Sequence, residues 1–192
     1  MCNLYRLEKG PDAVRKAFAD RQVPLTFPEG IPNFQPRDIR ITDRAPIIRA
    51  AAPGTVELVE RRWSWPGPGG KPVYNFRSEG REFGAGRCLI VADGFYEYTT
   101  PTDPKAKRKD RWLFTRPGED WFAIAGLVRA QPDVGEAFTM LTAEPGPDVA
   151  PYHSRQVVVL PREDWGRWLD PAVPAKALLR PLPAGSLAVE RA

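Results

Sequence analysis

The sequence predicts an α+β fold: one domain over residues 1–192, with a curved, partly barrel-like mixed β-sheet and a few peripheral helices. Three observations lead there. Short β-like runs recur from Val56 to Leu160, helical spacing is confined to the two ends, and 22 prolines are spread along the chain. That proline share is about twice the usual one and reads as many short elements with rigid connections. A chain of 192 residues is long enough for one sizeable core.

The elements follow in order. Residues 11 to 19 read as a short helix, with Pro11 suited to its first position and Val14, Ala17 and Phe18 on one face. The proline-rich residues 20 to 38 read as an ordered loop. Val56, Leu58 and Glu60 open a strand that runs to the aromatic pair Trp63 and Trp65. Cys88 to Val91 is an apolar run leading into Asp93-Gly94-Phe95-Tyr96-Glu97-Tyr98, and 111–115, 121–128, 137–142 and 156–160 complete the strands. Pro161 is expected to start a helix carrying Trp165, Trp168 and Leu169, and Ala175 to Leu179 a second short one.

Bulk chemistry narrows the function classes. A net charge of +4 and a pI near 9.2 permit a nucleic-acid partner without requiring one. Two cysteines and a single histidine make neither a disulfide framework nor a zinc motif, so no metal is expected, and nothing calls for a cofactor. There is no secretion-type start and no apolar run of about 18 residues. The expectation is a reduced, cytoplasmic protein (nucleoid-associated if bacterial), monomeric and away from membranes.

Five features carry chemistry. Cys2 follows a methionine whose removal would leave an amine beside a thiol. That pair condenses with an aldehyde to an imine and closes to a thiazolidine; the amine's pKa of about 7.7–8.0 leaves a neutral fraction at neutral pH. Cys2 equally suits the nucleophile of an amino-terminal hydrolase. His153, in Pro151-Tyr152-His153-Ser154-Arg155, suits a proton shuttle or a surface loop residue. Glu97 lies among alternating aromatics, where its carboxyl is either desolvated with a raised pKa or on the wet face of a strand. Asn75 and Arg77 are two apart on a strand and point to one side, toward a ligand and a phosphate or simply toward solvent. Lys105, Lys107, Arg108, Lys109 and Arg111 form a basic run that follows a phosphate backbone or tips a solvated hairpin. Cys88 sits in an apolar run and is expected to be buried and inert.

The order of these features resembles the SOS response-associated peptidase family. The resemblance rests on Met1-Cys2-Asn3-Leu4-Tyr5, Ala51-Ala52-Pro53-Gly54, Trp63-Ser64-Trp65-Pro66-Gly67, Asn75-Phe76-Arg77-Ser78-Glu79, Ala92-Asp93-Gly94-Phe95-Tyr96-Glu97-Tyr98 and His153-Ser154-Arg155, from residue 2 to about 170. It implies binding of single-stranded DNA carrying abasic sites, with Cys2 forming a covalent crosslink, a competing lyase step and a self-processing peptidase activity. It implies catalytic roles for Cys2, Asn75, Glu97 and His153 and phosphate binding by Arg77; Lys105, Lys107 and Arg108 join Arg77 as the DNA-binding candidates.

The chain also departs from that family. Leu4 stands where many relatives carry arginine, and Pro68-Gly69-Gly70 lacks a tryptophan that relatives often place after the Pro-Gly turn. Gln156 likewise replaces the usual methionine or arginine. The reactive set is complete, but the set that holds DNA is thinner. A thiol peptidase of amino-terminal nucleophile type and a non-catalytic single-strand binding module are the competing expectations.

Overall fold

The computed structural model describes residues 1–101, 103 and 105–192. In chain order the elements are β1 (Leu4–Leu7), α1 (Pro11–Ala19), β2 (Leu25–Thr26), β3 (Arg37–Arg40), β4 (Arg44–Ala52), β5 (Thr55–Trp63), β6 (Trp65–Pro66), β7 (Pro72–Val73) and β8 (Asn75–Arg77). Then come β9 (Arg87–Ala92), β10 (Gly94–Thr99), β11 (Asp110–Thr115), β12 (Phe122–Gln131), β13 (Gly135–Ala143), β14 (Gln156–Val157), β15 (Val159–Leu160), α2 (Trp165–Leu169) and β16 (Ala188–Arg191).

The larger sheet closes on itself. Antiparallel pairs join β5 to β4, β4 to β9, β9 to β12 and β12 to β13. β13 then returns parallel to β5 through Ala137↔Arg62 and Phe138↔Trp63, which shuts the barrel. All six residues of β9 are buried, because this strand has core on both faces. Gly126 on β12 lies opposite Cys88, and a Cβ there would approach the Ile90 side chain to 2.6 Å, so the close approach requires glycine. The sheet is therefore the curved, barrel-like mixed sheet that the sequence predicts.

A second, antiparallel sheet has the order β16-β11-β10-β1-β3. It joins the barrel where β9 runs into β10 at Asp93. The Asp93 amide donates to the Arg6 carbonyl at 2.9 Å, and its carboxylate accepts the Glu8 and Lys9 amides at 2.5 and 3.2 Å. A Cβ on Gly94 would lie 2.7 Å from Leu113 Cδ1 and 3.0 Å from the Phe114 carbonyl oxygen. Asp93-Gly94 is thus a joint: the acid pins the chain leaving β1, and the glycine lets β10 and β11 pack closely.

α1 spans the expected residues, starts at Pro11 and buries Val14, Ala17 and Phe18. Phe18 stacks on Trp165 at 5.5 Å and Trp165 on Trp121 at 4.7 Å, binding both chain ends to the barrel. Each such buried aromatic stabilises the fold by about 1.5–3 kcal/mol. Three readings need correction. Pro161 precedes a 3-10 turn, Arg162–Asp164, so the helix proper begins only at Trp165. The second C-terminal helix is a single 3-10 turn, Ala175–Ala177. Strand β2 lies within the proline-rich loop, and β1, β3, β4 and β16 are additional strands.

Candidate functional site at the seam of the two sheets

β1 and β10 pair as Tyr5↔Phe95 and Arg6↔Gly94. Continuing that register carries Asn3 and Cys2 alongside Glu97 and Tyr98. From the barrel side, β8 runs parallel to β13, with Asn75 opposite Met140. The Asn75 side-chain amide reaches across the seam and donates to the Cys2 carbonyl at 2.7 Å. Trp63 braces this join from below. Its indole N–H donates to the Tyr74 carbonyl at 2.9 Å, and its ring meets Tyr5 edge-on at 5.2 Å. Just after it, Ser64 adopts φ +84°, a left-handed conformation costing about 1–3 kcal/mol in a non-glycine residue. Its amide donates to the Phe138 carbonyl at 2.7 Å, which holds the kink against β13.

His153 arrives on a turn whose amides at Tyr152 and His153 donate to the Val149 carbonyl at 2.8 and 3.0 Å. Tyr152 packs on Trp112 and Phe114 of β11, at 4.8 and 5.4 Å. Arg155 clamps the other side. It forms a two-pronged ion pair with Glu79 and donates to the Thr142 carbonyl at 2.9 Å. Glu79 and Arg155, from two separate motifs, are therefore partners.

The charges at the seam are short of partners. The Met1 amine contacts His153 Nε2 and lies 3.4 Å from Glu97 Oε2; His153 Nε2 is 3.9 Å from the same oxygen. Glu97 is 1% exposed, and its Oε1 has no hydrogen-bond partner among the described residues. Burial raises its pKa from the ordinary 4.5 to about 7, with the nearby amine opposing the rise. Burial and then the amine's positive charge hold His153 below its usual value. His153 Nδ1 lies 3.0 Å from the Arg155 carbonyl. The Arg155 amide also donates to Nδ1, at 2.9 Å, so Nδ1 is held by both backbone groups of Arg155 while Nε2 faces the amine. The Cys2 thiol, 1% exposed, donates to the Leu4 carbonyl at 3.2 Å. Burial, and then the Glu97 charge, push its pKa far up.

A cavity of about 270 Å³ opens here, lined by Met1, Asn3, Glu97, Tyr98, Lys109 and His153. Of the four expected residues, Glu97 and His153 line this cavity; Cys2 and Asn75 do not, and stand beside it, joined by the Asn75 amide's bond to the Cys2 carbonyl. Arg77 is exposed at the end of β8 and does not line the cavity. Lys105, Lys107 and Arg108 are exposed on the β10–β11 connection. Of these, Lys107 and Arg108 line a second cavity of about 460 Å³ with Lys109, Arg111 and Arg191. Sequence reasoning missed Asn3, Tyr98 and Lys109 as cavity residues. Only the register of β1 on β10 puts the first two there, and only the folded hairpin lets Lys109, alone of the basic run, line this cavity as well as the basic one. Cys88 is buried opposite Gly126. Among the described residues no group of three or more His, Cys, Asp or Glu is placed to hold a metal, and no helix is long and apolar enough to cross a membrane.

Fold and site together define a mixed β-barrel protein whose first residues are built into a polar cavity. The family model described as SOS response associated peptidase (SRAP) matches residues 1–191, and the chain belongs to that family. It is 32% identical over 95 residues to the abasic site processing protein YobE of Bacillus subtilis (strain 168). That match covers 47% of this chain and 42% of YobE, less than half of either protein. Among solved structures, a protein from Bordetella bronchiseptica superposes with a TM-score of 0.76 at 26% identity, covering 100% of this chain and 99% of that one. A phage-related protein from the same organism gives 0.74 at 22% identity, with 100% and 94% covered. A protein from Bacteroides thetaiotaomicron gives 0.73 at 16%, with 99% and 91% covered. The last two likenesses show the fold alone.

Proposed function

We propose that this protein processes abasic sites in single-stranded DNA and captures them covalently through Cys2 once Met1 has been removed. The observation that carries this reading is the position of the chain's first amine, held between His153 Nε2 and Glu97 Oε2. Loss of Met1 shifts the free amine to Cys2, whose backbone nitrogen already faces Glu97. With a pKa of about 7, Glu97 is suited to protonate the ring oxygen of the closed sugar, opening it to the aldehyde. The Cys2 amine adds to that carbonyl, and loss of water leaves an imine. The thiol then adds across the C=N bond, forming a C–S bond while its proton passes to nitrogen. Asn75 orients Cys2, His153 accepts protons through Nε2, and Arg77 with Lys105, Lys107 and Arg108 holds phosphates of the strand. A lyase step competes with ring closure at the imine.

The test is a denaturing gel of the Met1-free protein, confirmed by mass spectrometry, with an oligonucleotide carrying one abasic site. A heat-stable shifted band that needs both Cys2 and the abasic site is the expected result. Capture that persists with a blocked amine, or no band with a free Cys2, overturns the reading.

The same cavity favours a second reading, self-processing by a thiol peptidase, because the Met1–Cys2 bond lies beside Glu97 and His153. The buried Cys2 thiol, its pKa pushed up and its S–H bonded to the Leu4 carbonyl, does not readily give the thiolate that attack on a peptide needs, whereas in capture the imine nitrogen takes the proton. Peptide turnover that disappears in Cys2→Ala is the outcome that would support it.

A further inference from the structure

Lys109 is the residue shared by the two neighbouring cavities. It lines the reactive cavity with Glu97 and His153, and it also lines the basic cavity with Lys107, Arg108, Arg111 and Arg191. Two of these neighbours are committed elsewhere: the Arg111 guanidinium stacks on the Tyr96 ring at 4.9 Å, and Arg191 pairs with Asp110. Lys107 and Arg108 line only the basic cavity. Among the described residues Lys109 forms no ion pair, and its ammonium is close enough to bear on His153. Lys109 therefore lies where a strand in the basic cavity would reach a sugar in the reactive one.

Building on the proposed abasic-site reading, we propose that Lys109 binds the phosphate on the 3′ side of the captured sugar and drives its departure. In that step His153 Nε2 takes the proton from C2′ of the imine-bearing sugar and the C2′=C3′ double bond forms. The C3′–O bond breaks, and its electron pair leaves with the phosphate. The leaving oxygen gains negative charge as the bond breaks, so a cation fixed beside it stabilises the transition state more than the bound substrate. Ring closure by the Cys2 thiol develops no charge there. Lys109 therefore sets the division between strand cleavage and stable crosslink.

The experiment uses the full chain with Met1 removed and a single-stranded oligonucleotide labelled at both ends with one internal abasic site. Crosslinked and cleaved strands are counted on one gel for wild type, Lys109→Gln and Lys109→Arg. The expected result is a cleaved-to-crosslinked ratio about tenfold lower in Lys109→Gln, in line with losing one exposed charge donor, and restored in Lys109→Arg. The basic cavity's other residues give the contrast: Lys107→Gln is expected to weaken both products together, with a shallower salt dependence. An unchanged ratio in Lys109→Gln, or a wild type that crosslinks and never cleaves, overturns the role of Lys109 and leaves the capture reading standing. A wild type that forms neither product overturns both.

Discussion

Two regions of this molecule concentrate charge, and they treat their carboxylates in opposite ways. On the barrel wall, Glu29, Arg61, Glu136, Arg49 and Glu57 alternate in sign. Their successive contacts are 2.7, 2.7, 2.6 and 2.7 Å. The Arg61 hydrogen bond holds Glu29 below the usual carboxylate range. Burial works to raise Glu136, but hydrogen bonds from Arg61 and Arg49 outweigh it and leave it lowered. At the seam, Glu97 is more deeply buried and has only an amine at 3.4 Å and an imidazole nitrogen at 3.9 Å. One of its oxygens has no partner, and its pKa rises to about 7. Full pairing holds a proton off and yields a rigid strut; an incomplete shell leaves a group able to give and take a proton near neutrality.

The comparison breaks most visibly at the seam. Cys2→Ala is expected to abolish the heat-stable crosslink, because the alanine amine can still form an imine but no thiol remains to close the ring; the denaturing gel reads it directly. The next effect is on pH. Glu97 binds its proton more tightly folded than unfolded, so between pH 4.5 and about 7 the native state holds more protons. Stability from this group is therefore complete below 4.5 and lost as pH rises through about 7. Melting curves from pH 4 to 8 should show that loss in wild type and not in Glu97→Gln. The same variant should lose the limb of the capture profile near pH 7. A pH-independent difference between the two proteins would mean that folding leaves the Glu97 pKa at its ordinary value. Smaller still is the effect of Glu79→Gln, which frees Arg155 and loosens the turn under His153. Capture should slow by about tenfold through misplacement, with Glu79→Asp recovering part of it. Equal rates in all three would remove Arg155 from the positioning of His153.

Much of this was legible in sequence, for reasons that differ by element. α1 announces itself through Pro11 and the spacing of Val14, Ala17 and Phe18, and β9 through an unbroken apolar run. β4 escaped notice because Pro46 interrupts it and charged Arg44 and Arg49 flank its buried stretch. β1, β3 and β16 are four residues each, and only their partners make them strands. The closing contact of β13 on β5 joins residues some 75 positions apart, as in Ala137 to Arg62, and no local pattern encodes it. At the site, Cys2, Asn75, Glu97 and His153 stood out as residue types in recognisable motifs. The Glu79–Arg155 pair and the place of Lys109 did not, because each depends on where two distant segments cross.

The smallest expected effect falls on the barrel wall, and it sharpens the contrast. Glu136→Gln removes the acid that joins Arg49 to Arg61 but leaves each arginine another carboxylate, Glu57 and Glu29. Glu136 is itself about a third exposed, so solvent screens the loss to about 1 kcal/mol. Since the folded pKa of Glu136 is depressed, its contribution is present above the ordinary 4.5 and fades as pH falls below it, the reverse of Glu97. The variant should melt slightly lower at pH 7, match wild type at pH 3, and capture an abasic strand at the wild-type rate. Slower capture without loss of stability would mean that the two charged regions are coupled through β13, which carries Glu136 at one end and pairs with β8 toward the other.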